Sequence, residues 1–140
     1  MFIIIENVIY YGRHYSEEHV GSYWWFNLND YKIYSIKQLE SLFDGENCFT
    51  QESILEKEFI PFSKTEIIEV EKDYIKKKNN KKLSKVFSAV SEVDFDQVFK
   101  KYIDNNLLIS DWWNFEREKL ISDAVEWCKL NGIKYRFKQL

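Results

Sequence analysis

The chain has 140 residues, 45% hydrophobic and 18% aromatic, with four glycines and one proline. It is long enough for one packed core and too poor in flexible residues for a disordered or collagen-like polymer. Twenty basic against 23 acidic side chains leave a formal charge of −3, so any binding to nucleic acid or an anionic membrane would have to be local.

A single domain over residues 1–140 is the expectation. The apolar opening Met1 to Ile5 is broken at Glu6, too short for a secretory or membrane-spanning segment, so the expected location is cytoplasmic with no membrane association. Cys48 and Cys128 stand in no metal or redox spacing and read as two buried reduced thiols.

Residues 2–11 are rich in β-branched and aromatic side chains and read as one strand, or as two short ones broken at Glu6-Asn7. The polar stretch 12–21 holds His14, His19, Glu17 and Glu18, but the five-residue separation of the imidazoles marks no ligand set, so a solvated loop is expected and no metal or cofactor. Residues 22–28 and 31–36 read as a hairpin turning at Asn29-Asp30. Aromatics fall on both faces of that hairpin, from a sheet covered on both sides or from an exposed contact face.

Ser35 with Gln38 resembles a capping box opening a short helix through Leu39, Leu42 and Phe43, and residues 46–57 read as loop. Phe59 to Phe62 reads as a sheet-edge segment because Pro61 cannot donate to a central ladder. Ser63 to Glu66 reads as a second capping box. Helices are expected near 64–78, 82–91, 94–104 and 111–130. Six lysines and no acid lie between Lys76 and Lys85, either a solvated helix end or a phosphate-binding patch using Lys76, Lys77, Lys78, Lys81 and Lys82.

The last helix carries the clearest periodicity. Trp113, Arg117, Leu120, Ile121, Ala124, Trp127 and Cys128 share one stripe, with Ser110 as N-cap and Asn131-Gly132 as the C-terminal turn. On that reading Trp113→Ala or Trp127→Ala would be among the most damaging substitutions. Arg117 would need an interior carboxylate or carbonyl partner, or would bind a ligand. Ile133, Tyr135 and Phe137 alternate with Lys134, Arg136 and Lys138 as in a strand that could join the N-terminal sheet. The expected class is α+β, with an N-terminal antiparallel sheet and a C-terminal helical layer.

From Phe59 onward the chain resembles the bacterial Uncharacterised Protein Family 0158. The residues that carry this are Phe59-Ile60-Pro61, Ser63 to Glu66, Phe95 with Phe99, Trp112 or Trp113 with Phe115, Glu116 and Arg117, then Ala124, Trp127, Asn131 and Gly132. In Phe26 to Asp30, Asn27 stands where that family's pattern has an aspartate. The resemblance implies an α+β fold in a bacterial cytoplasmic setting and no particular activity.

No glycine-rich phosphate loop, GxSxG elbow or HExxH pair is present in the sequence. Three functional classes follow. The first is a non-catalytic protein that binds another protein, with Trp24, Trp25, Tyr31, Tyr34 and Arg117 as contact residues; it is motivated by five Trp, nine Tyr and eleven Phe. The second is a nucleic-acid binder using the lysine run, and the third an enzyme of unassigned class with dispersed carboxylates.

Overall fold

In the computed structural model, residues 1–13, 24–42 and 56–138 are described. His14 to His19, Tyr23, Phe43 and Cys48, with most of the predicted 46–57 loop, lie outside the described residues. The fold is α+β, running β1 (Ile3–Ile4), α1 (Ile5–Arg13), β2 (Trp24–Asn27), β3 (Ile33–Ser35), α2 (Ile36–Leu42) and β4 (Phe59–Pro61). Then come α3 (Ile67–Lys77), α4 (Lys81–Ser88), α5 (Glu92–Asn105), α6 (Ile109–Leu130) and β5 (Tyr135–Arg136). Two compact units result, one of Met1–Thr65 with Ile121–Leu140 and one of Glu66–Leu120.

In the first unit an antiparallel sheet of order β3-β2-β4 is built on the predicted hairpin, with Trp25 opposite Tyr34 and Phe26 opposite both Ile33 and Ile60. Pro61 lies on edge strand β4, where its missing N–H costs no ladder bond. The turn is organised by Asn27, whose Oδ1 accepts from the N–H groups of Asn29 (2.9 Å) and Asp30 (3.0 Å) while its amide donates to the Lys57 carbonyl (3.2 Å). An aspartate here could accept those bonds but not donate to Lys57. The left-handed residue of the turn is Tyr31 (φ 56°), not Asn29 or Asp30. The Ser35–Gln38 capping box forms in full, at 2.7 and 3.2 Å.

Only Ile3 and Ile4 of the predicted N-terminal strand are extended, and they pair in parallel with Tyr135 and Arg136. The C-terminal strand therefore joins β1 in a separate two-stranded sheet, not the three-stranded one. From Ile5 the chain is helical, because buried Ile5, Val8 and Gly12 with half-buried Ile9 recur at helical spacing. Packing of that face overrides the β propensity of its side chains. It meets Phe26, Phe62, Ala124, Cys128 and Ile133 in the core of this unit.

Gly12 marks a close backbone crossing. A Cβ there would lie 2.8 Å from the Ser63 carbonyl oxygen, and the Gly12 carbonyl accepts from the Thr65 N–H at 3.1 Å. Alanine would gain up to ~1 kcal/mol in helix propensity, but the obstacle is main chain and cannot swing aside. We expect Gly12→Ala to cost a net ~1–2 kcal/mol, read as a lower urea midpoint; an unchanged midpoint would refute the crossing.

Helix α6 ends as its sequence indicates. Gly132 is left-handed (φ 65°), with its N–H on the Lys129 carbonyl (3.3 Å) and the Ile133 N–H on the Cys128 carbonyl (2.8 Å), the paired bonds of a Schellman turn. Cys128 is a free, buried thiol, and burial raises its pKa to about 11.

In the second unit the helices start elsewhere than the caps suggested. α3 begins at Ile67, after an extended Glu66 that makes no side-chain cap bond. Phe62 still pairs with Trp24 and Thr65 with Gly12, which holds the Ser63–Glu66 stretch out of the helix. α6 begins at Ile109, and the Leu108 carbonyl accepts the Trp112 N–H at 2.8 Å, so Ser110 sits inside the first turn rather than capping it. The core gathers Val70, Tyr74, Ile75, Phe87, Phe95, Phe99, Ile103 and Trp112. Trp112 is 8% exposed and Trp113 62%. The predicted stripe is therefore displaced by one residue in the first half of α6: Trp112 takes the interior place assigned to Trp113, and Arg117 is exposed rather than interior. Leu120, Ala124 and Cys128 are buried as expected, and Trp127 is half-buried, its indole N–H donating to the Pro61 carbonyl at 3.3 Å. No helix among the described residues is long and apolar enough to cross a membrane.

Candidate functional site

Of the described hairpin aromatics, Trp25 and Phe26 are buried and Trp24, Tyr31 and Tyr34 half-buried. Trp25 is 7% exposed and packs with Leu39 and Phe59. Trp24 meets the Tyr11 ring edge-on at 4.9 Å, and Tyr31 meets Phe26 at 5.2 Å while its hydroxyl accepts from the Lys134 N–H at 3.2 Å. Tyr34 lies against Phe59 at 5.1 Å and donates to Asp30, a bond to a carboxylate that raises the phenol pKa. Trp25 is thus a core side chain, while Trp24, Tyr31 and Tyr34 pack on neighbours and remain half-buried.

Exposed apolar surface gathers instead where α6 begins. Leu107 is 91% exposed, Ile109 41% and Trp113 62%, and Ile109, Trp113 and Arg117 recur every fourth residue, which sets them in a row on one face of the helix. The sequence carried a signal for this in the adjacent tryptophans. Neighbouring helical residues point about 100° apart, so when one enters a core the other points well away from it.

The lysine run spans two helices rather than one helix end. Lys76 and Lys77 close α3, left-handed Asn79 (φ 51°) turns the chain, and Asn80 caps α4 by accepting the Leu83 N–H at 3.1 Å ahead of Lys81, Lys82 and Lys85. All six lysines are exposed. Lys78 is paired, its ammonium 2.9 Å from Asp111 and 4.8 Å from the Tyr74 ring centre, and Lys77 sits 5.1 Å from that of Phe115. Lys76, Lys81, Lys82 and Lys85 have no ion pair among the described residues.

Two cavities flank this run. One, of about 390 Å³, is polar and includes Tyr74, Lys77, Lys78, Asp111 and Glu118. Within it Asp111 accepts from the Tyr74 hydroxyl (2.6 Å) and from Lys78, which together lower its pKa. Lys78 is raised mainly by the bond to Asp111, and Tyr74 mainly by burial. The other cavity, of about 280 Å³, has apolar walls from Ile75, Phe87 and Phe95, with Lys72, Lys76, Ser84 and Ser88 around them.

The most perturbed carboxyl in the described residues is Glu71, on α3. It is 2% exposed, and its pKa is raised to about 8, first by burial, then by its hydrogen bond to Asp96 and the nearby charges of Asp96 and Glu116. Asp96 is lowered by that bond and by Lys100 at 2.9 Å. The arrangement fits a protonated Glu71 donating to an Asp96 carboxylate. Glu71 itself is buried, while the Asp96 side chain that accepts from it is 47% exposed. No cluster of three or more His, Cys, Asp or Glu able to hold a metal occurs among the described residues.

Comparison of the chain with family models, with curated proteins and with solved structures found no match.

Proposed function

We propose that the chain is a non-catalytic protein that binds another protein through the outer face of α6, with Trp113 as the anchor and Ile109 and Arg117 beside it. The observation that carries this is Trp113, 62% exposed on a helix whose preceding residue, Trp112, is a core side chain. Tryptophan buries a large area for little lost rotamer freedom, and tryptophan and arginine dominate many protein contacts.

Nucleic-acid binding through Lys76, Lys81 and Lys82 is the second reading, favoured by their lack of acidic partners. Against it, the rings nearest the run are already covered by Lys77 and Lys78 and offer bases little to stack on. We also propose kinship with the bacterial family named above, on the residues quoted for it.

Affinity capture from the native host with wild type and the Trp113→Ala/Arg117→Ala variant, with and without nuclease, tests the function. We expect a nuclease-resistant protein that the double variant fails to retain. Equal retention by both forms, or retention that nuclease abolishes, would overturn it.

A further inference from the structure

We propose that the apolar cavity between α3, α4 and α5 is a second binding site, which seats one bulky apolar side chain of an acidic protein segment. This surface does not include the Trp113 face and does not depend on it.

The walls are Ile75, Phe87 and Phe95, while Lys72, Lys76, Ser84 and Ser88 supply cations and hydroxyls around them. At about 280 Å³ the space lies just below the ~300–1,000 Å³ of sites that enclose a drug-sized molecule, and it suits a single leucine or phenylalanine side chain.

The charge around the opening selects the partner. The Lys72 ammonium is held 3.1 Å from Glu92 and 3.6 Å from Glu69, and lies 5.7 Å from the centre of the Phe95 ring. Its charge is thus held beside the apolar wall and offset by those two carboxylates. Lys76 is exposed and has no acidic partner among the described residues, and the same α4 that supplies Ser84 and Ser88 also carries Lys81, Lys82 and Lys85. An incoming segment meets an apolar recess with one uncompensated cation, Lys76, at its edge and three further lysines on the helix that supplies its hydroxyls, complementary to a hydrophobic residue flanked by Asp and Glu. A phosphate backbone would satisfy the lysines but leave the recess empty. A neutral apolar segment would fill the recess and forgo the lysines.

Fluorescence anisotropy with two labelled peptides tests this on the full chain. One is a short Asp/Glu-rich peptide with a single central phenylalanine, and the other is identical except for serine at that position. We expect the phenylalanine peptide to bind at least ~10-fold more tightly, with both affinities falling steeply between ~50 and ~200 mM salt. Ser84→Trp, an exposed position whose new ring would fill the recess, should erase the difference between the peptides. Lys76→Glu should weaken both. The peptide comparison itself needs no variant. Equal affinities for the two peptides, or no binding of either, overturn the proposal. Partner capture that still depends on Trp113 would then show that the α6 reading stands without it.

Discussion

Trp112→Ala should lower the unfolding free energy by about 3–5 kcal/mol, whereas Trp113→Ala, one residue away, should change it by less than ~0.5 kcal/mol. Trp112 is 8% exposed, with ring centres of Phe99 at 4.7 Å, Tyr74 at 5.4 Å and Phe115 at 6.3 Å. Removing the indole would leave a void among rings that are themselves held in edge-to-face contact, so the surroundings can collapse only in part. Trp113 has most of its surface in water and makes none of these contacts. Urea unfolding of the two variants side by side measures the difference. Similar midpoints would mean that the helix phase described for the first half of α6 is wrong.

The second large effect is a pH dependence centred on Glu71. Its pKa rises from 4.5 to about 8 on folding, so between those values the folded chain holds a proton that the unfolded chain releases. The stabilising state is the neutral acid. It is fully present below pH ~4.5 and is lost as pH rises through about 8. Asp96 acts in the opposite sense: its lowered pKa contributes stability above the ordinary aspartate value that disappears in stronger acid. Glu71→Gln replaces the neutral acid with a neutral amide that can still donate to Asp96. We expect it to raise the unfolding free energy by about 2 kcal/mol at pH 9, with little change at pH 4. Parallel stability curves for wild type and variant across that range would show that Glu71 titrates as an ordinary surface acid.

These two sites also show where the sequence is readable. Local chemistry that closes on itself was legible: the Ser35–Gln38 box, the Asn131-Gly132 turn and the Pro61 edge strand each depend on residues within a few positions of one another. Features set by distant contacts were not. Ser63 to Glu66 has the composition of a capping box, yet its backbone is held extended through Gly12 and Trp24. Residues 2–11 look like a strand by residue type, and the helical spacing from Ile5 onward is convincing only once Phe26, Phe62 and Ala124 are there to cover it.

The displacement in α6 has a specific origin. Stepping back by fours from Cys128, Ala124 and Leu120 gives Glu116 and Trp112, a track that puts a glutamate on the inner stripe, whereas the stripe read from the sequence runs through Arg117 and Trp113. Glu116 is in fact half-buried, near the Glu71–Asp96 pair that no spacing rule reveals. Aromatic surplus pointed to a contact surface on the hairpin, where Trp24, Tyr31 and Tyr34 are half-buried, whereas Trp113, assigned to the core, is exposed.

That Trp113 anchors a protein partner is tested most directly by placing a photo-reactive phenylalanine analogue at position 113, irradiating in native-host lysate and treating with nuclease before mass analysis. Position 93 on α5, where Val93 is 91% exposed, serves as the control. The account predicts a discrete protein adduct from position 113 that position 93 does not give. No adduct at 113, adducts that are nucleic acid alone, or the same adducts from both positions would contradict it.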